Sequence, residues 1–174
     1  MPLDTFPDDA RLWLFATDRD LSADEHAAVL DAMQSFTASW TSHRRPVPAE
    51  AALLDGRVLA VAAQLAEGEV NAGVSGCGID SLQRAVDALA DRLGFGWASG
   101  LDVVYREADG SVCVVPRPTF RAFARDGRVT ADTPVFDLTL TTVGDLRRLG
   151  VERPASASWH GRVFRLDDAP HVGA

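Results

Sequence analysis

The 174-residue sequence carries 17 Lys and Arg against 25 Asp and Glu, a formal net charge of -8, with 47% hydrophobic and 24% charged residues. That composition is ordinary for a globular protein and excludes a disordered or coiled-coil chain, and a chain of this length can bury about two-thirds of its unfolded surface. The acidic balance repels nucleic-acid phosphate and anionic lipid, and the densest cationic pairs, Arg44-Arg45 and Arg147-Arg148, are too short to offset it.

The two cysteines, Cys77 and Cys113, are too few for a disulfide framework and read as reduced thiols. No window approaches the ~20 apolar residues of a membrane span, and the start Met1-Pro2-Leu3-Asp4 lacks the cationic-then-apolar pattern of an export signal. The expectation is a cytoplasmic protein with no nucleic-acid or membrane partner.

After a polar leader with Pro2, Pro7 and Asp8-Asp9, the short apolar run Leu12 to Ala16 predicts a buried strand. Asp18, Arg19 and Asp20 form a charged turn, and Ser22 followed by Glu25 has the spacing of a capping box. The helix it opens runs from Ala23 to Trp40, with Ala27, Leu30, Met33, Phe36 and Trp40 on one stripe and Asp31 and Ser35 facing outward.

Two strands, Ala51 to Leu54 and Val58 to Leu65, flank the Asp55-Gly56 turn. A Gly-rich stretch from Glu67 to Asp80 leads into a helix from Ser81 to Leu93, with Asp80 as its N-cap or first-turn acid. Gly94 and Gly96 end that helix, and Leu101 to Arg106 and Ser111 to Val115 form a second strand pair across Asp109-Gly110. Beyond it the pattern predicts a helix from Pro118 to Arg125, a strand from Val135 to Leu140, a helix from Thr142 to Leu149, and a last piece carrying Trp159 and Phe164.

The order βαββαβ predicts an α+β fold, a ferredoxin-like split βαβ core with an additional C-terminal α/β extension. The expected organisation is a single domain over residues 1–174, its core at about 11–116 and its extension at about 117–166.

With these elements placed, Arg19, Ser39-Trp40-Thr41-Ser42-His43, the Ser75-Gly76-Cys77-Gly78-Ile79-Asp80 loop, Thr133-Pro134-Val135-Phe136 and Ser158-Trp159 together resemble a family of small uncharacterised bacterial proteins. Some members carry the automatic label "ABC transporter ATPase". The resemblance covers most of the chain from about Leu12 to Phe164 and implies no established activity. ATP hydrolysis is excluded on chemistry, because a nucleotide-binding loop needs a lysine and the sequence has none. Gly78 stands where the family pattern carries Ser, so no hydroxyl role is carried over to that position.

Cys77 lies between glycines just before a predicted helix, where unpaired amides and the helix dipole favour a thiolate. The same loop could instead cradle a small anion on its amides, or the thiol could simply pack beneath a tight turn. Candidate ligand-binding residues are therefore Arg19, Ser75, Gly76, Cys77, Gly78 and Asp80, with Cys77 also the candidate nucleophile. With both helices taken to start at one end of the sheet, the Arg19 turn abuts Cys77.

A nucleophilic cysteine wants a histidine base. The same topology puts His43 at the far end of an ~18-residue helix, about 27 Å away, and leaves His26 one turn into the first helix, with His160 and His171 unplaced. No Cys or His pair has metal-ligand spacing, so neither metal nor cofactor is expected. Trp97, in a loop between Gly96 and Ala98, reads as either a core residue or a partner anchor.

Three functions follow. The first is a noncatalytic module that binds a small anionic ligand or a protein partner through the Gly73-Asp80 loop, and the second a cysteine-dependent enzyme or redox protein with Cys77 as its reactive thiol. The third is a structural homodimer joined through an edge strand.

Overall fold

A computed structural model describes residues 3–64 and 76–166. The fold is α+β, with five α-helices and antiparallel sheets among the described residues. The chain forms two compact units, Met1–Trp97 with Thr139–Arg148, and Ala98–Leu138 with Leu149–Ala174. The core expected over residues 11–116 is thus divided between them.

In the first unit, β1 (Arg11–Ala16) leads to α1 (Ala23–Ser39), a small hairpin of β2 (Thr41–Ser42) and β3 (Arg45–Pro46), then β4 (Ala49–Leu54), β5 (Val58–Ala63) and α2 (Gly76–Leu93). The sheet order is β1-β5-β4, with β5 antiparallel to both neighbours. β1 and β4 are therefore parallel, joined through α1 and split by β5. The central strand, Val58 to Ala63, is buried throughout, which suits its run of small and β-branched residues. At the hairpin, Asp55 and Gly56 both have positive φ (48° and 67°), as a type I′ turn requires.

The Ser22 capping box forms in full, with the serine hydroxyl accepting from Glu25 N–H and the Glu25 carboxylate accepting from Ser22 N–H. The buried stripe of α1 is Val29, Met33 and Thr37, closed by Trp40, rather than the expected Ala27 and Leu30 line. α2 adds Leu82, Val86 and Leu89 to the same core. Trp97 belongs there too, its indole N–H donating to the Val86 carbonyl at 3.0 Å and its ring lying edge-on to Phe15 and Phe95.

The strand expected to complete this sheet, Leu101 to Arg106, does not join it. The outer edge of β1 is met at its two ends instead. Leu12 N–H donates to Thr141 at 2.9 Å beside an Arg11-Thr142 bridge, and Asp18 N–H donates to Gly96 at 2.9 Å beside a Thr17-Trp97 bridge. The returning segment continues into the helix Val143–Leu149, whose Arg147 donates to the carbonyls of Leu3 and Phe6 and to Asp8.

The second unit carries β6 (Asp102–Arg106), β7 (Val112–Pro116), α3 (Arg117–Arg125), β8 (Pro134–Phe136), β9 (Glu152–Pro154) and α5 (Trp159–Phe164), and the helix Val143–Leu149 of the first unit is α4. Its sheet order is β7-β6-β8-β9, all antiparallel. Tyr105, Phe120, Val135, Ala155 and Phe164 form its core. Arg106 of β6 grips Glu152 of β9 with two nitrogens, at 2.6 and 2.8 Å, tying two strands that have β8 between them.

Candidate functional site

The predicted ligand loop is largely helix. α2 starts at Gly76, five residues before the expected Ser81, so Gly76, Cys77 and Gly78 form its first turn and Asp80 is not a cap. Cys77 and Asp80 are exposed, whereas Gly78 is buried and its carbonyl accepts from the Trp40 indole at 3.2 Å. Ser75 lies outside the described residues, as does the Gly-rich stretch before it.

Arg19 is not beside Cys77. Its guanidinium holds Glu25 at 2.7 and 3.0 Å and reaches the carbonyls of Leu93 and Gly94, at the C-terminal end of α2. An 18-residue helix is about 27 Å long, so Arg19 and Cys77 stand at opposite ends of α2. The physical reason is chain direction. β4 and β5 are antiparallel and each helix runs back along the strand next to it in sequence, so α1 and α2 run antiparallel, and the end of α1 meets the start of α2. Arg19 is thus held on Glu25 and helix-end carbonyls. The pair also holds the Glu25 carboxyl at about 2, because the Arg19 hydrogen bond and the Ser22 N–H favour its charged form.

That geometry also removes the ground on which His43 was set apart from Cys77. His43 is exposed at the tip of the β2-β3 turn, just past the end of α1, with Arg44 beside it also at positive φ. His26 lies instead against the Asp55-Gly56 turn, where a Cβ on Gly56 would come within 3.1 Å of its ring. His171 lies outside the described residues.

The richest buried polar cluster is in the second unit, around His160. This histidine is 1% exposed, its ring stacks on Trp159 at 3.8 Å, and Phe120 and Phe164 lie farther out at 6.4 and 6.3 Å. Ser158 caps α5 and places its hydroxyl 2.8 Å from His160 Nδ1. Burial, reinforced by the charges of Arg117 and Arg153, outweighs the opposing pull of Asp137 and lowers the imidazole pKa to about 4. The ring is neutral at pH 7.

Asp137 is buried at the end of β8 and is paired with Arg153 of β9. Arg117, at the start of α3, stacks its guanidinium over Trp159 at 4.9 Å and is in no ion pair with any described residue. Three N–H groups in this cluster, Arg117 Nε, Arg153 Nε and Trp159 Nε1, are buried and meet no acceptor among the described residues. Buried donors are nearly always satisfied, so each of the three calls for an acceptor that is not among the described residues.

None of these residues was a predicted site residue, although the resemblance ran through Thr133-Pro134-Val135-Phe136 and Ser158-Trp159, which flank them in sequence. The one signal available was an acid, Asp137, directly after an apolar strand. Compared with known proteins, the chain matches no family model, no curated protein and no solved structure. Among the described residues no helix is long and apolar enough to cross a membrane.

Proposed function

We propose that this protein is a noncatalytic binding module for a small anionic ligand, bound in the second unit beside Trp159. The observation that carries this reading is the set of three buried N–H donors without acceptors among the described residues, two of them on arginines. Arginine guanidinium is the side chain best suited to recognising carboxylate and phosphate oxygens. The anion expected from sequence is retained and its site is moved, from the Arg19 and Cys77 ends of α2 to Arg117 and Arg153. The resemblance to the small bacterial family fits this reading, because the two stretches Thr133 to Phe136 and Ser158-Trp159 flank the cluster. The cytoplasm fits as its compartment, since Cys77 and Cys113 are both free thiols.

A module of this kind gains stability when its ligand is present, because a ligand that binds only the folded state raises the melting temperature. The test is a thermal-melt screen of the full chain at pH 7 against small carboxylates, phosphate and sulfate, each as the sodium salt with sodium chloride as the ionic-strength control. A saturable rise for at least one anion over the chloride control is the expected result. A flat response to every anion overturns the reading.

A further inference from the structure

Resting on that reading, we propose that the ligand is a small carboxylate monoanion with an apolar body, held by the N–H groups of Arg117, Arg153 and Trp159. The first argument is charge. Among the described residues Arg117 and Arg153 each carry one positive charge and Asp137 one negative, while the buried imidazole is neutral, so the described groups of the cluster have one positive charge in excess. Arg121, whose guanidinium lies over Phe164, is exposed and is compensated by water. Arg117 is half-buried with its Nε out of reach of water, and a guanidinium so placed is stabilised by an opposite charge of equal size. A carboxylate supplies a single negative charge, whereas a phosphate dianion leaves a negative charge of its own in an apolar setting.

The second argument is donor geometry. Asp137 already takes a terminal nitrogen of Arg153 and leaves its Nε, and stacking on Trp159 fixes the plane of Arg117. Two oxygens with about four lone-pair positions can accept from three N–H groups without an unused donor. The third is the wall. Trp159, half-buried over the core rings of His160 and Phe164, presents an indole edge, and such a surface favours an acid whose body is aliphatic or aromatic over a bare inorganic ion. Arg117 and Trp159 are both only half-buried, which leaves the cluster an approach from solvent.

The experiment is isothermal titration of the full chain at pH 7 with benzoate, butyrate, benzamide and inorganic phosphate. Wild type is compared with Arg117→Gln, Trp159→Phe and, as a distant control, Arg19→Gln. The expected result is that benzoate or butyrate binds at least tenfold tighter than benzamide and phosphate. Arg117→Gln then weakens binding at least tenfold, Trp159→Phe weakens it several-fold with the aromatic ring retained, and Arg19→Gln leaves it unchanged.

Phosphate binding that equals or exceeds carboxylate binding, and depends on Arg117, overturns the carboxylate inference and leaves the anion module standing. Equal binding of benzamide and benzoate shows that the site takes a neutral acceptor and overturns both. Carboxylate binding that survives Arg117→Gln and Trp159→Phe places the ligand elsewhere and overturns this site. Should Arg117→Gln fail to fold, Trp159→Phe alone decides the location.

Discussion

The indole N–H of Trp40 donates to the carbonyl of Gly78 at 3.2 Å, joining the residue that ends α1 to the first turn of α2. This single bond reports the antiparallel run of the two helices, and it separates Arg19 from Cys77. Trp40→Phe keeps most of the ring in the core and removes the donor, leaving a buried carbonyl with one partner fewer. The expected cost is about 1 kcal/mol, seen as a fall of about 2–4 °C in Tm. Hydrogen exchange localised to the first turn of α2 would identify the bond as the cause, and unchanged exchange there would argue against it.

Protonation of His160 links the second unit to pH. The folded-state pKa of about 4 lies below the value of 6.5 for an unperturbed imidazole, so the unfolded chain takes up the proton first as pH falls. Stability is therefore complete above about pH 6.5 and is lost as pH falls toward about 4, by at most about 3 kcal/mol. The groups facing the ring are Ser158, Asp137, Arg117 and Arg153, and the window from pH 6.5 to 5 lies above the ordinary range of carboxylates. Urea titrations across that window should show a declining midpoint in wild type and a much flatter one in His160→Phe.

Asp137 is buried and its ion-pair partner Arg153 is mostly so, and in such a pair removing one partner generally costs more than replacing both. Asp137→Ala leaves an uncompensated guanidinium and should cost about 3 kcal/mol or more. The double variant Asp137→Leu with Arg153→Met should recover most of that loss. Chemical denaturation of the two variants against wild type measures the difference, and additive losses would mean that the pair is not coupled.

The packing of the leader on α4 is close enough to be tested with one methyl group. A Cβ on Gly144 would fall 2.8 Å from Asp8 Cβ and 2.9 Å from the Asp8 carbonyl oxygen, which itself accepts from Gly144 N–H at 2.8 Å. Because backbone must give way, Gly144→Ala should cost about 1–3 kcal/mol despite its better helix propensity. A Tm equal to or above wild type would contradict this packing.

Cys77 and Cys113 differ in access, the first exposed and the second half-buried. Iodoacetamide at neutral pH should therefore modify one thiol quickly and the other slowly. Cys77→Ser should remove the fast phase, and a fast phase that persists would place the accessible thiol at Cys113.

Local signals carried well from sequence to structure. The Ser22 and Glu25 spacing opened α1, Asp55-Gly56 made its turn, and Asp109-Gly110 divided β6 from β7. Long-range placement did not carry. Leu101 to Arg106 reads equally well as the fourth strand of the first sheet, because nothing in the buried run Val103-Val104-Tyr105 names its neighbour; its partners in the structure, β7 and β8, lie on either side of it. Gly76 and Gly78, two residues of poor helix propensity, obscure the start of α2, and Gly78 is held there by the Trp40 indole in the helix it should interrupt. The cluster around His160 was beyond reach for a related reason. It is assembled from Arg117, Asp137, Arg153 and the Ser158-Trp159-His160 run, which come together only when β8 and β9 pair.

The chain leaves the first unit after Trp97 and returns to it for Thr139–Arg148. A ribosome releasing this protein from its N-terminus thus delivers β1 and its leader long before the segment that bonds Leu12 and Ala10 and anchors Asp8. Residues 98–138 must emerge first, so the first unit can be completed only after most of the second has been made. The leader and the outer edge of β1 are the parts of the nascent chain that wait longest for their partners, and a chaperone acting during synthesis would find its work there.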